Sequence, residues 1–587
     1  MNDFHFSPRP NRAHEIAWRP WGEQAFAEAK AADKPILLSL SAVWCHWCHV
    51  MDETSYSDAE VIASINEAFI PIRADADQRP DVNARYNAGG WPTTAFLTHE
   101  GDILNAQTYV PPEGMRKITR TIVEAYRNRR TEIFETLAQK RKRLSATRPL
   151  DGDAALTDEI IAATRSAIEE AFDEEYGGFG DEPKFPHIDV LEFVVLEFER
   201  TRDPRLERIL SKTLRAMSQG GAYDHIEGGF FRYSTTRDWS VPHFEKMAED
   251  HAGLIRVYAR AWRACGTPAL RETLLSALSY LRTTLRDPDT GLFAGSQDAD
   301  ETYYASTLEE RRALPTPYVD RTAYAGWTAA LAGAYALAGA VLADDLLIVE
   351  ALQTLDAIAT VLIDERGLCY HFLAPGQSPR LRNQLTDQAA YLRALLDVYE
   401  GSGEPRLLSR AIALAQTIND VFVGEDGTLA DHAGDGVGLL AVRMTPLPEN
   451  VSVADSLLRL SVVTSQARYR DRAERILRVF ANRYAAYRTF AAPYASAVAR
   501  YLHGGADVTI VGTPQATSPL REAAHRLPDP FLVTTTLPED DPLAAARGLR
   551  AMLGTPVAYV CRGTACGAPV TSPADLRKAF DALLVAK

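Results

Sequence analysis

Residues 35–49 read PILLSLSAVWCHWCH, and this stretch decides the fold of the first part of the chain. The run Ile36–Ser41 is short, apolar and opened by Pro35, the pattern of a buried strand. Cys45-His46-Trp47-Cys48 follows it and begins a helix. A thiol at a helix N-terminus faces unpaired N–H groups and the positive end of the helix dipole, which favours its thiolate. Such a thiol drops from about 8.5 to roughly 3.5–7.5. Cys48 lies one turn further in, within reach of a mixed disulfide on Cys45 and able to resolve it. His46, between them, stabilises the thiolate as imidazolium. Cys45 is therefore expected to attack and Cys48 to resolve.

A C-x-x-C at a strand-to-helix junction is the thioredoxin-like arrangement. Gly90-Trp91-Pro92-Thr93-Thr94-Ala95-Phe96-Leu97 resembles the thioredoxin-family G-[IV]-P-T-x-x-x-F segment. That resemblance implies a cis bond before Pro92 and a loop beside the cysteines. The sequence departs from the family at Ser39, where thioredoxins carry a buried aspartate that moves the resolving proton. Asp52, Glu53, His49 and Asp75 are the candidates to replace it. Three other readings compete. Cys45–His49 also matches the C-x-x-C-H attachment pattern of c-type haem, which needs export, and the opening MNDFHFSPRPNRAHEI shows no apolar signal segment. Zinc would need a second ligand pair near Cys45 and Cys48, and none is visible. Two inert buried cysteines are the remaining alternative. Redox chemistry with no metal and no cofactor is the expectation.

Composition bounds the rest. The 587 residues exceed one ordinary core, so several domains are expected. With 63 Lys and Arg against 78 Asp and Glu, the net charge is −15, which argues against nucleic acid or an acidic membrane surface as partner. No apolar run approaches the roughly 20 residues of a membrane span. Six cysteines are too few for a disulfide scaffold, so a cytoplasmic location is expected.

Strand and helix patterns alternate over residues 1–130, giving an α/β thioredoxin-like domain. A helix is predicted over 48–66 and strands over 69–73, 95–98 and 106–110. Residues 131–154 read as a linker. From 155 to 504 helical periodicity dominates, with twelve predicted helices that form six hairpins. Gly177-Gly178-Phe179, Gly228-Gly229-Phe230, Gly291-Leu292-Phe293, Gly367-Leu368-Cys369 and Gly427-Thr428-Leu429 punctuate them, each after a helix ending in acidic residues. A recurring unit of this kind marks a repeat architecture. Six hairpins closed into a ring give an (α/α)6 toroid, with its long loops at one mouth. Residues 505–587 read as a small α/β segment: strands at 508–511, 531–536 and 557–561, with helices to 525, to 552 and from 573.

The chain also resembles the spermatogenesis-associated protein 20 family along its whole length. Trp44-Cys45-His46-Trp47-Cys48-His49-Val50-Met51 is close to that family's CHWCHVM motif, and Gly89-Gly90-Trp91-Pro92, Pro183-Lys184-Phe185-Pro186, Val241–Met247 and Asp298-Ala299-Asp300 match in order. The resemblance implies a thioredoxin-like domain followed by a toroid similar to N-acylglucosamine 2-epimerases and six-hairpin glycosidases. Here the stretch after Asp300 is shortened, and the family's LDDYA segment reads Leu385-Thr386-Asp387-Gln388-Ala389, keeping one acid.

Within the toroid, His243, Glu245, Asp298 and Asp300 are expected to share one cleft with Arg232, Tyr233 and Trp239. His371, Asp387 and His432 lie in later loops. Glycoside hydrolysis needs two carboxyls about 5 to 9.5 Å apart, and epimerisation needs two proton-transfer groups on opposite faces. The same polar residues serve equally as helix caps and buried ion pairs. Cys265 and Cys369 read as core residues. Cys561 and Cys566 flank a turn and form either a second dithiol or a reduced pair. The expected function is a thiol–disulfide oxidoreductase or redox sensor, with a protein disulfide or small-molecule thiol as partner and a carbohydrate as candidate toroid ligand. A carbohydrate epimerase or glycosidase and a non-catalytic scaffold are the alternatives.

Overall fold

The computed structural model describes residues 4–145, 154–424, 426–552 and 554–585. The chain divides into two units, Met1–Pro149 with His432–Met444, and Leu150–Asp431 with Thr445–Lys587.

The first unit runs α1 (Glu23–Ala32), β1 (Ile36–Ser41), α2 (His46–Glu53), α3 (Ala59–Ala68), β2 (Ile70–Asp75), α4 (Pro80–Tyr86), β3 (Thr93–Leu97), β4 (Ile103–Gln107), α5 (Pro112–Asn128) and α6 (Arg130–Ser145). The sheet order is β2-β1-β3-β4, with β1 parallel to β2 and the other pairs antiparallel. All six residues of β1 are buried, as a central strand covered on both faces must be. The helix predicted over 48–66 is in fact two. The chain turns at Thr54, and Asp58 restarts it, its carboxylate accepting from Glu60 N and Val61 N, both at 3.1 Å. Helix α4, opened by Pro80, was not predicted. Helix α6 occupies much of the expected linker, and residues 146–153 lie outside the described ones.

Residues 432–444 fall inside the predicted toroid span but pack in the first unit. The Tyr86 hydroxyl donates to Gly101 O at 2.9 Å and accepts from Leu439 N at 2.8 Å. Leu440 joins the core with Phe26 and Leu38. Gly101 must be glycine: its φ is +91°, and a Cβ there would stand 2.4 Å from the Gly438 Cα.

The second unit is built of hairpins. Helices α7 (Asp158–Ala171) and α8 (Ile188–Thr201) come first, then α9 (Pro204–Gln219) and α10 (Ala248–Cys265). Helix α11 (Pro268–Tyr280) is followed by the short α12 (Glu301–Ala305) and α13 (Leu308–Arg311), then by α14 (Ala325–Leu342). The rest are α15 (Asp345–Val361), α16 (Leu385–Ser402), α17 (Pro405–Phe422), α18 (Leu447–Thr464), α19 (Ala467–Phe480) and α20 (Ala492–His503). Helices α8, α10, α14, α16, α18 and α20 each pack on the next, and α20 packs back on α8. The remaining six long helices lie behind them, α7 against α20. This is a closed (α/α)6 toroid. Contrary to the sequence expectation that no apolar run approaches a membrane span, helix α14 is long and apolar enough to cross one, but it is an inner helix of the ring and 78% of it is buried.

The outer helices are amphipathic. In α9, Leu206, Ile209, Leu210, Thr213, Leu214 and Met217 are buried at helical spacing. The five glycine triplets stand just after outer helices, where each loop folds back on itself in a bridge: Phe172 to Phe179, Tyr223 to Phe230, Arg286 to Phe293, Ile363 to Cys369 and Val423 to Leu429. The acidic residues before the glycines are turn-formers. Asp173, Asp224, Asp287 and Asp364 each accept from a backbone N–H two residues ahead.

The fourth residue of the following inner helix then holds the loop. Asn450 accepts from Leu429 N and donates to Leu429 O, both at 2.8 Å. Gln388 does the same for Cys369 at 2.8 and 3.0 Å, and His251 Nε2 accepts from Phe230 N at 2.9 Å. These loops all connect the C-terminal end of an outer helix to the N-terminal end of an inner one, so they gather on one face.

After α20 come strands Ala506–Val511, Val533–Leu537, Val557–Arg562 and Ala565–Cys566, with helices α21 (Pro514–His525), α22 (Pro542–Ala546) and α23 (Pro573–Val585). The sheet order is second, first, third, fourth, with the first two parallel and the rest antiparallel. The first unit has the same order and directions. The helix predicted to reach 552 stops at Ala546, because Gly548 takes a φ of +69°. This segment docks on the C-terminal end of α16: the Tyr399 hydroxyl donates to Thr536 O at 3.0 Å and Arg521 Nε to Gly401 O at 3.2 Å.

Asn450→Ala leaves a buried N–H and a buried C=O without their partner. A loss of about 1–3 kcal/mol is expected in urea unfolding. An unchanged transition midpoint would show that the loop finds its partners elsewhere.

Candidate functional site

Cys45 is the N-cap residue of α2, and its Sγ accepts from Cys48 N at 3.2 Å. The two sulfurs are joined as a disulfide. Both cysteines are buried, whereas Trp47 between them is 49% exposed. The Trp91–Pro92 bond is cis, and Pro92 is buried at the start of β3. Trp44 meets Trp91 of the Pro92 loop edge-on at 5.5 Å, and Trp47 meets Tyr109, between β4 and α5, at 5.3 Å. Trp44 Nε1 donates to Asp77 at 2.6 Å, which fixes the residue before Cys45.

The structure separates the four candidates for the missing aspartate. Asp52 forms a buried two-point pair with Arg73, at 2.8 and 2.9 Å, and accepts from Ser7 N. Glu53 accepts from the Ser7 hydroxyl at 2.6 Å. Asp75 accepts from Asp77 N and Gln78 N. His49 is different. Its Nε2 lies 3.1 Å from Val43 O, so Nε2 carries the hydrogen and Nδ1 is left as an acceptor. Burial holds its pKa below the usual histidine value, so the ring is neutral near pH 7. Ser39 is buried beneath this region.

In the toroid, the loops after α9 and α11 do share one end. Tyr233 and His243 are partners in a two-stranded ribbon, and Lys246 pairs with Gln297, one residue before Asp298. Phe185, Tyr233 and His243 form a continuous stack, with ring centroids 4.7 and 5.0 Å apart. His243 Nδ1 lies 3.0 Å from Glu245, and Arg232 approaches the same carboxylate at 3.7 Å. His371 Nδ1 lies 2.9 Å from Asp387 in a second buried pair.

Two expected cleft residues do other work. Trp239 is fully buried, packed on Gly178 with Lys184 6.0 Å from its ring, so it is a wall of the loop and not a sugar platform. Asp300 caps α12, accepting from Tyr303 N at 2.9 Å. Asp298 is buried and accepts from Ala299 N at 2.8 Å. His432 falls in the first unit.

Comparison with known proteins agrees with the sequence reading. Residues 9–145 match the family Thioredox_DsbH, described as a protein of unknown function, DUF255. Human spermatogenesis-associated protein 20 is 27% identical over 96% of this chain and 89% of its own length, and the mouse protein 26% over the same shares. The resemblance to spermatogenesis-associated protein 20 therefore holds along nearly the whole chain. Among solved structures, cellobiose 2-epimerase from Spirochaeta thermophila covers 56% of this chain and 84% of its own, at 15% identity and a TM-score of 0.47.

The spermatogenesis-associated protein 20 motifs did not disclose the acids at the ring mouth. Asp189, Glu249, Asp250 and Glu449 lie at the second or third position of α8, α10 and α18. Burial, then Asp250, pushes Glu249 up to about 7, although Arg232 opposes the shift. Burial likewise pushes Asp250 up to about 6 and raises Glu449. Glu249 is solvent-exposed and lines the lumen with Arg256, Arg393 and Glu449, so water screens part of this shift. The available signal was an acid in the first turn of several inner helices. Elsewhere, Cys561 and Cys566 are cross-strand partners joined as a disulfide on an exposed hairpin. Cys369 is buried, and burial pushes the Cys265 thiol up to about 11, so neither is primed as a thiolate.

The folded protein holds the Glu249 proton more tightly than the unfolded chain, whose carboxyl titrates near 4.5. Stability from this group is present at low pH and is lost as pH rises from 4.5 through about 7. Glu249→Gln is expected to flatten the fall in melting temperature between pH 5 and pH 8. An unchanged slope would place the titration elsewhere.

Proposed function

We propose that the protein is a thiol–disulfide oxidoreductase acting through Cys45 and Cys48, with a helical ring suited to a carbohydrate ligand. The observation that carries this reading is Cys45 Sγ at the α2 N-cap, accepting the Cys48 N–H. The same donor that holds the sulfur stabilises negative charge on it. In the reduced protein the Cys45 thiolate attacks a substrate disulfide, forming a mixed disulfide and releasing one substrate thiolate. The Cys48 thiolate then attacks Cys45 Sγ, releasing the second substrate thiolate and closing the Cys45–Cys48 disulfide. Two electrons pass to the substrate, and a protein dithiol, or two small-molecule thiols that leave joined as a disulfide, resets the pair. Neutral His49, the residue after Cys48, is the base we assign to the Cys48 proton. A reducing cytoplasm, which keeps thiols reduced, suits a dithiol used this way.

The test is reduction of insulin disulfides in dithiothreitol. Cys45→Ser is expected to fall to the uncatalysed background, and Cys48→Ser to accumulate the mixed disulfide. Iodoacetamide near neutral pH should label Cys45 before Cys48. Faster labelling of Cys48, or full activity in Cys45→Ser, would overturn the assignment.

A second reading has its own support in the toroid mouth. The Phe185–Tyr233–His243 stack offers a flat apolar face, and Glu249, raised to about 7, is a carboxyl able to give a proton near neutrality. A sugar panel read by thermal shift tests this, because a ligand of the folded state raises the melting temperature.

A further inference from the structure

The toroid lumen holds a cavity of about 280 Å³. Six arginines line it: Arg256, Arg260, Arg263, Arg393, Arg459 and Arg500. Five are paired with carboxylates. Arg256 meets Glu192 at 3.1 Å and Asp397 at 2.6 Å, and Arg393 meets Glu192 at 2.9 Å. Arg459 meets Asp397 at 2.7 Å and Glu400 at 2.8 Å. Arg500 meets Asp455 at 2.6 Å, and Arg263 meets Glu199 at 2.7 Å. Arg260 is the exception. Among the described residues no carboxylate lies within ion-pair distance of it, and its Nε is buried without a hydrogen-bond partner. Burial, then Arg256 and Arg263 on the same face of α10, pull its pKa down to about 10.

The position is deep. Arg260 lies twelve residues into α10 from Ala248, roughly 18 Å below the mouth at 1.5 Å per residue. Asp189, an acid of the same cavity, stands in the first turn of α8 at the other end. The C-terminal segment closes the deep end: His525 O accepts from Arg263 Nη1 at 3.4 Å and Phe531 O from Arg500 Nη1 at 3.1 Å. Arg260 is thus the lining guanidinium left without a carboxylate at ion-pair distance, although Asp529 also lines the cavity.

We infer that Arg260 anchors a binding site for a small organic carboxylate at the closed end of the lumen. A carboxylate supplies the partner that Arg260 lacks. Its two oxygens match the planar fork of a guanidinium, which binds carboxylates in two parallel hydrogen bonds. The cavity volume sits at the lower edge of the about 300–1,000 Å³ of small-molecule sites, which fits a metabolite and not a polymer.

The experiment is thermal-shift and calorimetric titration of the full chain with sodium acetate, sodium glucuronate and inorganic phosphate, with ionic strength held by sodium chloride. A saturable rise in melting temperature with a carboxylate is expected. Arg260→Met should abolish it, and Arg260→Lys, which keeps the charge and loses the fork, should weaken binding at least tenfold. Without carboxylate, Arg260→Met should melt at or above the unsubstituted protein, because it removes an unpaired cation. Arg263→Met, which breaks an existing pair, should melt lower. The inference is overturned by no saturable shift with either carboxylate, by an equal shift in Arg260→Met, by binding of phosphate alone, or by an Arg260→Met protein that does not fold.

Discussion

A ring of helices has no free end, so its last member must pack on its first. Here α20 closes on α8, and α7, the first helix of the ring segment, lies behind α20. Every inner helix therefore has neighbours on both sides, an outer helix behind and a lumen in front. Close approach is secured by small residues: at Gly333 in α14 a Cβ would stand 2.8 Å from the Asp397 carboxylate of α16. The lumen is filled by charge. Taking ions out of water is costly unless each meets a partner in good geometry. The arginine–carboxylate lattice meets that condition by sharing groups: Glu192 serves Arg256 and Arg393, and Asp397 serves Arg256 and Arg459.

The closed ring also sets where chemistry is available. All the turn repeats open on one face, and their backbone groups are held by side chains from inside the fold. In two of them a fully buried lysine adds a further tie. Lys184 donates to Asp173 and to Gly177 O, and Lys246 to Asp224 and Gly228 O, the last two both at 2.8 Å. Burial pulls Lys246 down to about 8, against the pull of Asp224. Several polar residues of these loops thus hold the loops together, and the groups left over, the Phe185–Tyr233–His243 stack and the acids of the first helical turns, form the mouth.

The chain carries the same strand order twice, and the comparison isolates what makes the first copy chemical. In both, the first strand leads into a helix whose N-cap side chain accepts a backbone N–H. In the first unit that residue is Cys45, accepting from Cys48 N. In the C-terminal segment it is Thr513, accepting from Ala516 N at 3.3 Å. The backbone supplies the same polarisation to both; only the first holds a sulfur to use it. The C-terminal cysteines sit instead on the hairpin of its third and fourth strands.

The sequence alone determined the class of each segment and the place of the cysteine pair. Strand and helix periods are local properties, so β1, the twelve ring helices and the place of Cys45 at a helix start were all legible. The turn repeat was legible too, because each copy spells its own bend in aspartate and glycine. The break between α2 and α3 was missed because a cap at Asp58 outweighs a continuous helical pattern. Only the tertiary structure decided which polar residues tie the loops together and which face the lumen. Trp239 and Asp300 belong to the scaffolding, while Glu249 and Asp250, with nothing distinctive around them in the sequence, gain their shifted protonation from a ring assembled across more than 200 residues of chain. The physical reason is that burial and pairing depend on distances between elements far apart in the chain, and no local pattern encodes those distances.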